Sequence, residues 1–317
     1  MVTKTLQRGC RASLVAGLLL SLSCARPPRE ADVPPPAPTL APACPTRTVT
    51  VPRLRFGVIR YGSTEYIHAG YEPVISYLQT RLGIPVDLVV VEHYDSLVAA
   101  LDRHELDAGF LTPVAYVKAH EKDPCLMPLT TRVQDGLFHY NGYIVTRRDA
   151  GFSDLRQLAG RKIAFVAPSS ASGYVFAMHR LITAGLQPDR DFGNILFMGD
   201  HSAVLRAVLE RRADAGATWS KALEIEAHAG QDIGALQILG ITGRIPNDVL
   251  VVRTDLDARL VDQIRSTMLG LNTMTSEGRE ALRLMFDVQG FVAVDDDFYE
   301  PVRSTLAQLR RTGVSFQ

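Results

Sequence analysis

Three hydroxyl side chains, Ser169, Ser170 and Ser172, lead into Gly173 within residues 161–180, RKIAFVAPSSASGYVFAMHR. Hydroxyls at this spacing, next to a glycine that lets the backbone come close, suit the capture of an oxyanion. The stretch reads as strand, loop and helix. Residues 163–167 form an apolar run of strand length, and Pro168 stops it. Val175, Met178, Leu181 and Ile182 then recur at helical spacing, so a helix is expected to start near Ser170. At that start the free N–H groups and the positive end of the helix dipole add to the hydroxyls. Ser170, Ala171, Ser172 and Gly173 are therefore the leading candidate contacts. The alternative is an ordinary serine cap on a surface helix.

His201, in Gly199-Asp200-His201-Ser202, follows the next strand-like run and opens the next helix. There an imidazole N–H can meet an oxyanion, although a lone histidine is more often a cap or a solvated residue. An earlier loop, residues 60–65 (RYGSTE), carries the same mixture of hydroxyls and glycine after a strand. It offers Tyr61 as a wall over a small ligand, with a plain surface loop as the alternative. Tyr116, Thr218 and Trp219 follow later strands and are further candidate walls, Trp219 equally a packing residue. Asp107 and Asp214 occupy matching turns before strands, which favours a structural role over an acid–base pair. There is no HExxH, GxSxG, phosphate-loop or GxGxxG motif, and the eight histidines show no metal-ligand spacing. No catalytic residue, metal or cofactor is expected.

The elements that must position these residues occur twice. RLRFGVI from Arg53 and RKIAFVA from Arg161 align at a shift of 108, as do VDLVVV from Val86 and NILFM from Asn194. Residues 97–109 then lie over residues 204–216 at a shift of 107, with Leu97, Val98 and Leu101 matching Val204, Leu205 and Val208. Strand–helix–strand–helix–strand in duplicate implies two α/β lobes with parallel pairing and right-handed crossovers. Two such sheets facing each other bring their ligand loops to a shared cleft. Residues 138–145 and 241–252 are the expected crossing strands of a hinge, and residues 255–317 the finishing helices. The expected division is 1–23 leader, 24–50 anchor and tether, 51–141 first lobe, 142–243 second lobe and 244–317 return to the first lobe.

The chain has 317 residues, with Lys plus Arg equal to Asp plus Glu. Zero net charge argues against a general nucleic-acid binder. Lys4, Arg8 and Arg11 precede an apolar run at residues 12–22 and then Ser23-Cys24, the pattern of an export signal. A cysteine directly after the cut resembles the lipobox of bacterial lipoproteins, in which Cys24 would be lipidated. Ser21 stands where that motif usually has Leu, so plain secretion is the alternative. Residues 27–45 are proline-rich, an extended tether for a domain held off a membrane. Of the four cysteines, Cys44 and Cys125 would remain for the folded part. They can pair in an oxidising compartment or stay as thiols.

The set PSSASGY (168–174), GDHSAVLRAV (199–208) and ADAGA (213–217), with IPND (245–248) and LTPVAY (111–116), resembles the phosphate/phosphite/phosphonate substrate-binding proteins of ABC transporters. The likeness runs from about Leu54 to the C-terminus. It implies the bilobal type II periplasmic-binding fold, in agreement with the repeat. It also implies an exported, monomeric receptor that closes on a small oxyanion and delivers it to a permease and its ATPase. The alternatives are a ligand-binding sensor for a signalling partner and, less favoured, an enzyme on the same fold. By position, Ser170, Ser172 and His201 match the family's oxyanion contacts. Ala171 lacks the hydroxyl that the family carries there. Thr218 stands where aminophosphonate binders have an acidic residue, which weakens the case for an amine on the ligand.

Overall fold

The computed structural model describes residue 44 and residues 48–60, 64–285 and 287–314. The leader, Cys24, nearly all of the tether and Tyr61 lie outside the described residues. The first lobe begins with β1 (Leu54–Ile59), α1 (Thr64–Leu82), β2 (Val86–Val91), α2 (Tyr94–Asp102), β3 (Ala108–Leu111), α3 (Pro113–Lys122) and β4 (Leu126–Gln134). The chain crosses on β5 (His139–Arg147) into β6 (Lys162–Phe165), α4 (Phe176–Thr183), α5 (Pro188–Asp191), β7 (Asn194–Phe197), α6 (His201–Leu209), β8 (Ala215–Trp219) and α7 (Ser220–His228). It returns on β9 (Leu236–Pro246) to β10 (Val249–Arg253), α8 (Ala258–Gly270), α9 (Ser276–Leu282), β11 (Val288–Ala293) and α10 (Glu300–Arg311). One sheet has the order β11-β4-β10-β3-β1-β2 and the other β7-β6-β8-β5-β9.

The duplication is visible in the pairing register. Arg55 pairs with Asp87 in the first sheet and Lys162 with Asn194 in the second, both related by 107 residues. Phe56 faces Ala108 as Ile163 faces Ala215, at the same offset. The opening strands therefore superpose at 107, one residue from the alignment of their arginines, because burial and not charge fixes the register. Asp107 and Asp214 repeat one role: each carboxylate accepts the backbone N–H of the neighbouring strand, from Arg55 at 2.9 Å and from Lys162 at 2.8 Å.

Each element forms because one face can be buried. In α1, Ile67, Tyr71, Val74, Ile75, Leu78 and Leu82 form a stripe against the first sheet. β10 is buried along its whole length, as a central strand between β3 and β4 must be. The helices after residue 255 follow the expected spacing, with Ile264, Met268 and Leu271 buried in one set and Val302, Leu306 and Leu309 in the other. Between them the structure inserts a strand that the helical reading does not include. β11 pairs antiparallel with β4 and covers that edge of the first sheet.

Three features tie the lobes together. Asn247, between β9 and β10, donates from its backbone to the Phe138 carbonyl at 2.9 Å and from its side chain to the Arg132 carbonyl at 3.0 Å, so the two crossings are fastened to each other. Helix α10 is buried in a cluster that also holds Tyr116 and Val117 of α3 and Ala177, Met178 and Leu181 of α4. Lys221 of α7 reaches Asp135 at 3.2 Å and Asp287 at 3.3 Å, both on the first-lobe side. Cys44 and Cys125 form a disulfide with Cα atoms 5.4 Å apart, clipping the end of the tether to the residue before β4. Such a bond belongs in an oxidising compartment. Among the described residues no helix is long and apolar enough to cross a membrane.

Candidate functional site

The serine segment lies at the carboxyl end of β6, as the sheet topology requires of a ligand loop. The strand ends at Phe165, and the helix opens with a wide turn, Ala171–Val175, before α4 proper. Wide turns of this kind concentrate at functional sites because they re-aim the first backbone groups. Ser170 caps the turn, its Oγ accepting the Gly173 N–H at 3.1 Å. Gly173 is required here: a Cβ would stand 2.8 Å from Ser170 Oγ and drive into the Val166 side chain. Ser170, Ala171, Ser172 and Gly173 are all buried, although the segment is polar. An ordinary surface cap would be solvated.

The buried hydroxyls face a small cavity of about 80 Å³. That is room for a few waters or one small anion, and a second cavity of about 260 Å³ adjoins it, sharing Ile59, Tyr94, His201 and Trp219. Ser170, Ala171 and Ser172 line one side, with His201 and Trp219 beside them. Tyr94, Thr112, Tyr140, Arg132, Asn247 and Asp248 complete the wall. The Tyr94 phenol approaches the Ser170 hydroxyl, and the Tyr140 phenol that of Ser172. Tyr94 starts α2 in the first lobe, so the Ser170 contact spans the cleft.

His201 is aimed by its helix. Asp200 caps α6 through a 2.7 Å bond from the Ala203 N–H, which makes His201 the first helical residue. Its Nδ1 lies 3.1 Å from the Thr218 hydroxyl. Burial lowers its pKa to about 4, with Asp200 opposing only weakly, so the ring is neutral at neutral pH. In the tautomer in which the threonine donates to Nδ1, the ring proton sits on Nε2 and is a neutral N–H donor. Burial raises Tyr94 to about 12 and Tyr140 above the usual phenol range, and the nearby Asp248 carboxylate adds to both. Both phenols therefore stay protonated. The fixed charges in the described cavity wall are Arg132 and Asp248, which form an ion pair.

Of the expected residues, the structure gathers Ser170, Ala171, Ser172 and His201 around the cavity, with Gly173 supporting the turn and Thr218 holding His201 from behind. Tyr116 is elsewhere. It is buried against Tyr299 with ring centroids 4.8 Å apart, and it donates to Asp296 at 2.7 Å. The first turn of α3 points that side chain into the core and brings Thr112, its N-cap residue, to the cavity. The aromatic wall falls to Tyr94 and Tyr140, which sequence reasoning did not single out. Tyr94 was findable, because the 107-residue repeat places it on His201. Tyr140, Arg132 and Asp248 lie on the crossings, where the repeat gives no signal. Among the described residues no cluster has the ligands to hold a metal ion.

A family model for the periplasmic phosphonate substrate-binding proteins of ABC transporters matches residues 56–299, and the chain belongs to that family. It is thus a solute-binding component of an ABC importer, from a transport family and not an enzyme family. It is 25% identical over 255 residues to the phosphate-import protein PhnD of Mycolicibacterium smegmatis, spanning 75% of this chain and 79% of that one. The phosphonates-binding periplasmic protein of Escherichia coli is 19% identical over 216 residues, 67% of this chain and 64% of the relative. The solved structure of PhnD1 from Prochlorococcus marinus in complex with methylphosphonate shares the fold. Its TM-score is 0.74 and its identity 19%, covering 82% of this chain and 98% of that one.

Proposed function

We propose that this receptor captures a small phosphorus oxyanion (phosphonate, phosphite or phosphate) in the cavity at the start of the serine helix. The observation that carries the reading is the convergence of neutral donors, the serines buried and the aromatic groups half-buried. Ser170, Ser172, Tyr94, Tyr140 and His201 meet at one small cavity beside the first N–H groups of a helix. Hydroxyls that now face one another can turn to an oxyanion, and neutral donors hold a tetrahedral anion without a counter-charge of their own. Similarity to a phosphate-import protein and to a methylphosphonate complex supports the same ligand class. Tyr61 lies outside the described residues and remains a candidate cover from the first lobe.

In this reading the chain is exported by its N-terminal leader, is lipidated at Cys24, and acts as a monomer on the outer face of a membrane. The lobes divide near residues 141 and 243, and closing them on the ligand presents the closed form to a permease with its ATPase. Calorimetric titration of the chain with phosphate, phosphite and methylphosphonate tests the ligand class. Binding of at least one at micromolar or better affinity is expected. No heat from any of them, with protein shown to be folded and free of carried-over ligand, would overturn the reading.

A further inference from the structure

The oxyanion reading uses the serine side of the cavity and leaves its hinge side unexplained. Arg132 leaves the first lobe on β4, and Asp248 sits where the chain returns between β9 and β10. Their side chains form an ion pair within the cavity wall, at only 11% and 12% exposure. The pair is held from behind. Asp248's carbonyl accepts the Thr131 hydroxyl at 3.0 Å, and the Arg132 carbonyl accepts the Asn247 side-chain amide at 3.0 Å. Placement of both groups is thus set by the crossings themselves.

A lone carboxylate this close to an oxyanion site would repel the ligand's anion and attract an ammonium group on the same molecule. Here the guanidinium occupies that place. Among the residues lining this cavity no other side chain is charged, Thr218 behind His201 is neutral, and the carboxylates nearest beyond it, Glu92, Asp200 and Glu226, line the adjoining cavity together with Arg60. Resting on the oxyanion reading, we propose that Arg132 is a specificity-determining residue. By pairing with Asp248 it closes the carboxylate to cationic substituents and reserves the cleft for phosphorus oxyanions without an amine. A zwitterionic ligand would have to set its ammonium against Arg132 or break a buried ion pair, and either is costly. An apolar substituent such as methyl meets neither penalty.

The test is the binding ratio of methylphosphonate to 2-aminoethylphosphonate, measured by calorimetry on the full chain. Wild-type protein is expected to favour methylphosphonate by 100-fold or more. Arg132→Met should cut that ratio at least tenfold by freeing Asp248, Arg132→Lys should keep most of it, and Asp248→Asn added to Arg132→Met should restore it. Equal affinity of the wild type for both ligands would overturn the proposal even if no variant folds. So would an Arg132→Met ratio unchanged in protein with a cooperative thermal transition. If the wild type binds neither ligand and no phosphate or phosphite, the oxyanion reading itself fails, a result distinct from lost selectivity.

Discussion

The two lobes share one scaffold and differ in what they place at its equivalent positions. Tyr94 opens α2 and His201 opens α6, 107 residues apart, each at the carboxyl end of a parallel strand and each lining the same cavity. One is a phenol, neutral at pH 7 with or without burial, and the other an imidazole that burial keeps neutral. The first is raised to about 12 and the second lowered to about 4, so each is a neutral donor at pH 7. The duplicated frame thus presents two unlike side chains in the same neutral state, the imidazole through burial. The serine turn falls, by the same repeat, on the loop at residues 60–65, of which residues 61–63 lie outside the described residues.

The repeated aspartates divide structural from functional symmetry. Asp107 is fully buried. Burial alone would push it up, but hydrogen bonds from Arg55 and the charges of Arg55 and Arg253 outweigh this and hold its carboxyl below the usual range. Asp214 accepts the Lys162 backbone N–H at 2.8 Å, whereas Asp107 also accepts from the Arg55 and Arg253 guanidiniums at 2.7 and 3.0 Å. Asp107→Ala should therefore destabilise the protein by about 3–5 kcal/mol in denaturant unfolding. Asp214→Ala should cost about 1 kcal/mol. Equal costs would show that the lobes are held alike after all. A depressed carboxylate contributes stability above its unfolded pKa and loses it as pH falls through the folded one, so Asp107's share should be intact above its ordinary value of 3.8 and decline only as the pH falls further.

His201 gives the next effect. Its folded pKa is about 4 against an ordinary 6.5, so the unfolded chain takes up a proton between those values that the folded chain refuses. Stability of the ligand-free protein should fall by about 2 kcal/mol as pH drops from 6.5 towards 4, and His201→Asn should remove that slope. Tyr94→Phe deletes one donor from the opposite lobe and should weaken oxyanion binding about tenfold with little change in melting temperature. Smallest of all, Lys221→Ala removes a cross-lobe contact at 19% side-chain exposure. A loss of affinity of about threefold, shrinking in high salt, is expected from titrations at two ionic strengths.

The fold was legible because the repeated strands and helices carry their burial patterns in order. Leu97 and Leu101 and their partners Val204 and Val208 are all buried, as the spacing requires. The strand β11 was not legible, since VQGFVA is short, contains a glycine, and sits between two helices. It is a strand only because β4 offers an open edge. In the site, the serine turn and His201 could be read from local chemistry. Asp248 stands in the IPND segment of the resemblance, but its pairing with Arg132 could not be read, because a contact across 116 residues is made by the crossings and leaves no periodic trace. Tyr116 shows the opposite failure: a tyrosine after a cleft strand looks like a wall, but the helix phase turns it into the core towards Tyr299.

The claim that the serine turn holds the anion is tested most directly by titrating methylphosphonate into the Ser170→Ala/Ser172→Ala variant beside the wild type. Loss of two hydrogen bonds to a charged ligand should weaken binding by about 100-fold or more, with the thermal transition kept within a few degrees. Affinity unchanged in the folded double variant would contradict the account and place the ligand elsewhere in the cleft.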